Sequence, residues 1–340
     1  MRAGLVFVVI ASLGTGCGDD SVVHGNEPGT AEWSRRLEIE GFDLAVDPEG
    51  SIYVVGTKVD GGEPSLWLGK FDPAGTLLWT FEDAGTDGVT VAATADAVHV
   101  AGYRFYEPGA GQRVYRLDPG GTVQWTVEQP TISTWGLTAA PDGGVYAAGD
   151  RTGSGGLVFQ RLSAGGEVVW SEDTTLERSG PGGLTTSTSG ELLVTNSGDS
   201  WWVHAREADG TVGWTREIAT PLRTAGFHSL AVGADGTIVA IAMVQTAEVR
   251  AYATWLTPDG EALETQPLAD PVLEHRVDGD DLLIASFAML ERRTRDGEVV
   301  WTVPGPRECM RSYNLALTPN NSVAALRSCS PESELVVLAR

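Results

Sequence analysis

The chain is short of positive charge. It has 23 Lys and Arg against 46 Asp and Glu, a formal charge of −23 over 340 residues. Nucleic acid and anionic lipid surfaces both require a basic footprint, so neither is expected as a partner. Histidine (5) and cysteine (3) are scarce, and a metal site usually needs three or four clustered ligands. No P-loop, G-x-S-x-G or H-E-x-x-H pattern occurs. The glycine runs GSGG at 153 and SGPGG at 179 precede no helix and are not phosphate cradles. Asp278, Asp280 and Asp281 lack the D-x-D-x-D-G spacing of a calcium loop. No segment keeps a helical period with caps, which disfavours a helical solenoid. No cofactor and no metal are predicted. Glycine (43) and tryptophan (11) are plentiful, and charged residues make up only 20%, which is a globular composition.

The longest apolar run is Ala3–Leu13, behind Arg2. It is about half the ~20 residues that a spanning helix needs, so it reads as a signal peptide. Gly14, Thr15 and Gly16 precede Cys17 in a pattern that resembles a bacterial lipobox, with Leu13 one position earlier than usual. The resemblance implies removal of residues 1–16 and a lipidated Cys17, with plain secretion from another cleavage site as the alternative. Residues 18–28 (GDDSVVHGNEP) are small, polar and turn-rich and read as a tether. One lipidated Cys holds a protein on a membrane without inserting it. Export favours pairing of the two remaining cysteines, Cys309 and Cys329. A tight turn at Pro319–Asn321 that sets Thr318 against Ser322 would place Cys329 two residues from the position facing Cys309. The alternative is two separate buried thiols.

Gly-x-x-x-Trp recurs at Gly29–Trp33, Gly75–Trp79, Gly121–Trp125, Gly166–Trp170, Gly210–Trp214 and Gly297–Trp301. A seventh copy, Gly260–Glu264, keeps the Gly and loses the Trp. The final positions are spaced 46, 46, 45, 44, 50 and 37 apart. Three further segments accompany each copy: a run ending in a turn signal (DLAVDPEG at 43, GLTAAPDG at 136), an apolar strand (SIYVVG at 51, GVYAAG at 144), and a third strand (LWLGKFD at 66, QRVYRLD at 112). Four short β-rich runs per unit of about 45 residues is the pattern of a propeller blade. First strands at 43, 89, 136, 183, 228, about 272 and 314 predict seven blades in one domain over 29–340. The body opens on a fourth strand (about 30–37) and ends on a third (about 335–340). The two ends should pair and close the ring, leaving no open edge.

The segments DPAGTLLW, DPGGTVQW, PEGSIYVVG and PDGGVYAAG resemble the seven-bladed β-propeller repeat family of bacterial envelope lipoproteins, over about residues 29–340. They are similar to the tryptophan-docked blades of quinoprotein dehydrogenases and of the outer-membrane assembly lipoprotein. The resemblance implies architecture and is nearly silent on activity. No calcium or quinone residues of the dehydrogenases map onto this chain.

Trp33, Trp79, Trp125, Trp170, Trp214 and Trp301 hold a fixed place on the outermost strand, where each should dock on the adjoining blade. Lys70, Arg116, Arg161 and Arg292 recur five residues before the repeat Gly, with Arg340 assigned to the last blade. They read as stems lying along the blade with paired heads. His99 shares the place of Tyr53 and Tyr146. His204 lies beside Trp201 and Trp202, and His275 is in the most divergent blade. His228 starts a first strand near the axis. Variable loops at 82–88, 103–111, 128–135, 173–182, 218–227, 243–249 and 304–313 would share one face, and function concentrates on such loops. That face would carry Phe105, Tyr106, Trp135, Phe227, His228 and Tyr313, with Asp83, Asp87, Glu172, Asp173 and Glu177 around them. Trp135, Phe227, His228 and Tyr313 are the candidate binding residues, for a protein or a glycan; packing among the loops is the competing account. The leading reading is a non-enzymatic, monomeric binding or scaffold propeller anchored in the cell envelope by lipid alone. The alternatives are an oxidoreductase or lyase with a site over the channel, and an assembly factor for membrane proteins.

Overall fold

The computed structural model describes residues 27–340 apart from 61, 105–110, 130, 152–155, 175–182, 198–200, 219–227, 245–249, 269–270, 287–288, 305–311, 329–331 and 340, and apart from the side chains at 60, 196–197, 228, 244, 250 and 312–313. The described elements are twenty-eight strands in seven antiparallel sheets of four, and no helix is among them. Blades 1 to 6 run Glu40–Ala84, Asp87–Gln129, Ile132–Asp173, Leu184–Ile218, His228–Leu268 and Val272–Pro304. Blade 7 combines Ser312–Leu338 with the strand Ala31–Leu37. The innermost strands of successive blades touch one another in sequence, and the seventh touches the first, so the ring is closed.

Local chemistry explains the hairpins. In the turn 72–76, the Gly75 N–H donates to the Asp72 carbonyl and the Asp72 N–H to the Thr76 carbonyl, each at 2.9 Å. The Asp72 carboxylate accepts from the N–H groups of Ala74 and Thr76. Gly75 sits at φ +83°, where a Cβ is penalised. The same turn joins the third strand to the outermost at 118–122, 163–167, 207–211, 257–261 and 294–298. A sister turn joins the innermost strand to the second, and at 318–322 Asn321 (φ 67°) replaces the glycine. The register in blade 7 runs from Leu317 against Val323 to Ser312 against Ser328. That is the register expected from Thr318 facing Ser322. Cys17, Cys309 and Cys329 lie outside the described residues.

The ring closes where expected. Ala31–Leu37 pairs antiparallel with Ser333–Leu338, from Trp33 against Val337 to Leu37 against Ser333. The C-terminal strand starts at Ser333, two residues before the expected 335. Two hydrogen bonds of 2.8 Å, Gly29 N–H to Ala339 O and Ala339 N–H to Thr30 O, replace the turn that joins these strands in the other blades. The place facing Trp33 is filled by Val337. Arg340, assigned to that place from sequence, lies outside the described residues.

Six of the seven blades are fastened to the next by a tryptophan on the outermost strand. Cβ atoms built on Gly75, Gly121, Gly166, Gly210 and Gly260 would lie 2.5–2.9 Å from the rings of Trp33, Trp79, Trp125, Trp170 and Trp214. Trp301 lies against Gly29, which carries the contact across the closure. The indole N–H of Trp33, Trp79, Trp125 and Trp170 donates to the carbonyl of Pro73, Pro119, Ala164 and Ala208 at 2.9–3.0 Å. The cation beside the Trp often reaches the same carbonyl: Lys70 to Pro119 (3.1 Å), Arg116 to Ala164 (2.9 Å) and Arg161 to Ala208 (2.6 Å). These heads also meet carboxylates, Arg161 at Asp142 (2.6 Å) and Arg292 at Asp278 and Asp281 (3.1 and 2.8 Å). Thus the VDGDD run is a turn between strands whose acids neutralise Arg292, and the repeated cations face outward along the seams.

Trp125→Ala should lower unfolding free energy by about 3–5 kcal/mol, measured by denaturant titration; an unshifted midpoint would refute the docking role. Gly121 and Gly297 share φ +87°, but only Gly121 meets an indole, and among the described residues nothing lies within 4 Å of a Cβ on Gly297. Alanine at either costs about 1–2 kcal/mol in backbone strain. The excess loss for Gly121→Ala, about 1–3 kcal/mol of overpacking, measures the Trp79 contact alone. Equal losses would show that the contact contributes nothing.

Candidate functional site

Alignment of the blades on their second strands brings seven innermost-strand residues into one equivalent position: Asp43, Thr90, Gly136, Gly183, Ser229, Glu274 and Asn314. The residues immediately before them, at the end of the axis where the variable loops emerge, are Phe42, Val89, Trp135, His228, Leu273 and Tyr313, with residue 182 outside the description. Of the four candidate binding residues, Trp135 is the bulged residue of blade 3, as Phe42, Val89 and Leu273 are of blades 1, 2 and 6, whereas His228 and Tyr313 face Ala242 and Arg327 without a bulge, in register with Thr134 of blade 3. The fourth, Phe227, lies outside the described residues, as do Phe105 and Tyr106.

Trp135 is not in a loop. It sits on the innermost strand Ile132–Ala139 at a bulge between Thr134 and Gly136. The connection before it is only 130–131, and that between blades 1 and 2 only 85–86, far shorter than the loops expected at 128–135 and 82–88. Polar residues there had read as loop, yet they extend the strands with wet ends. Trp135 is half-buried against the core of Tyr146, Phe159 and Val194, and its indole N–H has no partner among the described residues. Phe42 is 39% exposed at the matching bulge of blade 1. Sequence reasoning missed it, although Phe42 precedes Asp43 as Trp135 precedes Gly136.

The polar position behind this rim ties blades together. The Thr90 hydroxyl donates to Asp43 (2.8 Å) and accepts from the Leu137 N–H (3.2 Å), linking blades 1, 2 and 3. Val91 N–H also donates to Asp43 (3.0 Å). Asn314 donates to the Phe42 carbonyl (2.6 Å), linking blade 7 to blade 1. Ser229 bonds Nδ1 of His275, whose Nε2–H donates to the Val239 carbonyl (3.0 Å). Arg276 donates to Glu274 and to the His275 carbonyl. Desolvation pushes the Asp43 carboxyl up to about 6, against the pull of its hydrogen bonds and of the Arg276 charge. The axis end thus combines an aromatic and aliphatic rim with a layer of polar groups already committed to neighbours.

The other described histidines, His99, His204 and His275, are packing residues. His99 is fully buried against Trp125, with ring centroids 5.7 Å apart, as Tyr53 packs on Trp79 and Tyr146 on Trp170. Burial depresses its pKa to about 4, and likewise that of His204, which bonds Thr215 and stacks beside Trp202. His275 falls to about 3 for the same reason. Of the acids expected on the loop face, Asp83, Asp87, Glu172 and Asp173 stand on strands and several are paired, while Glu177 lies outside the described residues. Burial alone would raise the Asp83 pKa, but hydrogen bonds from Thr86, Tyr115 and Arg113 hold it low. Glu172 meets Arg206 at 2.9 Å and Asp173 meets Arg151 at 2.5 Å. Among the described residues, no group of three or more His, Cys, Asp or Glu is placed to hold a metal ion.

No protein-family description matches the chain, and no curated protein matches its sequence. Solved structures share its architecture. The Pan2 WD40 domain of Neurospora crassa is similar at 12% identity and TM-score 0.63, over 88% of this chain and 89% of that one. The polysaccharide lyase Uly1 is similar at 12% and 0.57, over 88% and 90%. BamB of Moraxella catarrhalis is similar at 14% and 0.51, over 91% and 100%. At such identities the likeness shows the fold alone. The chain is a seven-bladed β-propeller of four-stranded blades, latched between its first and last strands.

Asp43, with its raised pKa, contributes stability that is fully present below the unfolded value near 3.8 and lost as pH rises through about 6. Relative to the unaltered protein, Asp43→Asn should therefore gain in unfolding free energy as pH rises from 4 to 7. A difference that stays constant across that window, in denaturant titrations at each pH, would contradict the desolvation of Asp43.

Proposed function

We propose that the chain is a non-enzymatic binding or scaffold propeller, anchored in a bacterial cell envelope, that takes a protein or glycan at the loop end of its axis. One observation carries this reading. Repeated residues are consumed in fastening blade to blade, whereas Phe42, Val89, Trp135, His228, Leu273 and Tyr313 gather at the loop end of the innermost strands, at or beside the bulge, with unlike side chains. A rigid scaffold that varies at one end is the arrangement of a recognition surface. Aromatic residues with a polar surround suit protein or glycan contacts. Presented to a membrane protein, the same end would serve as an assembly platform.

Lipidation of Cys17 completes the reading. The first described residues, Glu27–Gly29, reach the ring at the face of short turns, so the tether would leave the loop end pointing away from the anchor. A Cys309–Cys329 disulfide would pin two connections of blade 7 beside that end. Ser312 pairs with Ser328, so both cysteines follow closely from paired strand ends.

Immobilised mature chain should capture a set of envelope proteins or glycans that is lost with Trp135→Ala and Tyr313→Ala combined. Capture that is the same with and without these changes would place recognition elsewhere. Incorporation of labelled palmitate should disappear in Cys17→Ser; retained label would remove the anchor from the account.

A further inference from the structure

Six of the seven blade seams are closed by one device, an indole laid on the next blade's turn glycine. The seam between blades 5 and 6 is built differently. Glu264 holds the tryptophan's place, facing Trp255 on the third strand as Trp125 faces Arg116. Its carboxylate accepts from Arg295 Nε at 2.5 Å and from Gln266 at 3.2 Å. The Arg295 guanidinium lies over the Trp255 ring, 5.8 Å from its centroid. The floor for an indole is nonetheless intact. Gly297 has φ +87°, matching Gly121 and close to Gly75 and Gly166. Among the described residues, no heavy atom comes within 4 Å of a Cβ built on it, whereas each of the other six glycines has an indole within 3.3 Å. The Glu264 and Arg295 side chains remain about a third exposed (37% and 34%), so the seam is reachable from solvent.

We propose that this seam is a docking site for the indole of a tryptophan presented by another polypeptide. The molecule itself defines the occupant, because the same turn receives an indole at the six other seams. A second copy has none to offer, since all eleven tryptophans are described and each is buried or half-buried. Glu264 supplies an acceptor for the indole N–H, which in four seams donates to an oxygen of the adjoining turn. The chain's charge of −23 selects a tryptophan flanked by basic residues. The site lies on the face of short turns, opposite the rim of Phe42 and Trp135, and it stands independently of the function proposed there.

The test uses N-acetyl-tryptophanamide as probe, with free tryptophan and N-acetyl-leucinamide for comparison, read by saturation-transfer NMR on the mature chain. A lone indole should bind with a Kd on the order of millimolar, given its few atoms. Binding should persist in Glu264→Gln. It should weaken at least tenfold in Glu264→Trp, which fills the seam from within and raises the melting temperature by several degrees. Should Glu264→Trp fail to fold, Gly297→Ala, checked for cooperative unfolding, puts a methyl on the floor and should weaken binding at least fivefold. The proposal falls if the capped amide does not bind, if its binding survives whichever of these two variants folds, or if leucinamide binds equally well. Tighter binding of free tryptophan would assign the seam to an amino acid and overturn docking of a polypeptide.

Discussion

An indole resting on a glycine of the next sheet is the contact on which the ring depends. A four-stranded sheet of this size has two apolar faces and cannot cover either alone. The tryptophan on its outermost strand reaches across the seam, and the neighbour's turn accepts it because a glycine at φ near +85° leaves room above the backbone. The N–H of four indoles ends on a carbonyl of that turn, and a lysine or arginine from the adjacent strand often ends on the same oxygen. One carbonyl thus gathers packing, a neutral hydrogen bond and a charge. The latch between the chain's ends belongs to the same scheme, because it supplies blade 7 with Trp33 and blade 6 with Gly29.

This arrangement divides the molecule by role. The short-turn face is uniform, and its side chains are spent on turns and seams. Near the axis, Asp43, Thr90, Ser229 and Asn314 join neighbouring blades by hydrogen bonds, which fixes the innermost strands where burial alone would let them slide. The loop end carries the differences: a bulged Phe42 on one blade, a bulged Trp135 on another, His228 and Tyr313 on two more. Rigidity beneath and variety above are two results of one repeat, since positions outside the seams diverge more freely than those within them.

Much of the architecture was legible because its causes are local or periodic. The Asp-x-x-Gly turns, the alternation of the strands and the recurrence of tryptophan fixed blade number, strand number and closure. Even the register of the hairpin at 318–322 followed from its turn. The rim was legible only in part. His228 was picked out as the start of a first strand, but Trp135 and Tyr313 as loop residues, because polar strand ends and true loops look alike in sequence. Phe42 escaped notice since nothing near it in the chain suggests that a bulge turns it outward. The replacement of a tryptophan by Glu264 was visible, whereas its partner Arg295, thirty-one residues on, was not.

Sequence by itself determined the unit, its sevenfold repetition and the tryptophan at six of the seven seams, because turns and side-chain alternation act between residues a few positions apart. Tertiary structure decided what meets across the seams: which oxygen each cation and indole share, which innermost residues align at the axis, and where the indole floor at Gly297 lies uncovered. Those facts depend on how far one blade is rotated against the next. That rotation is set by the packing of all seven blades at once, under the condition that the ring must close.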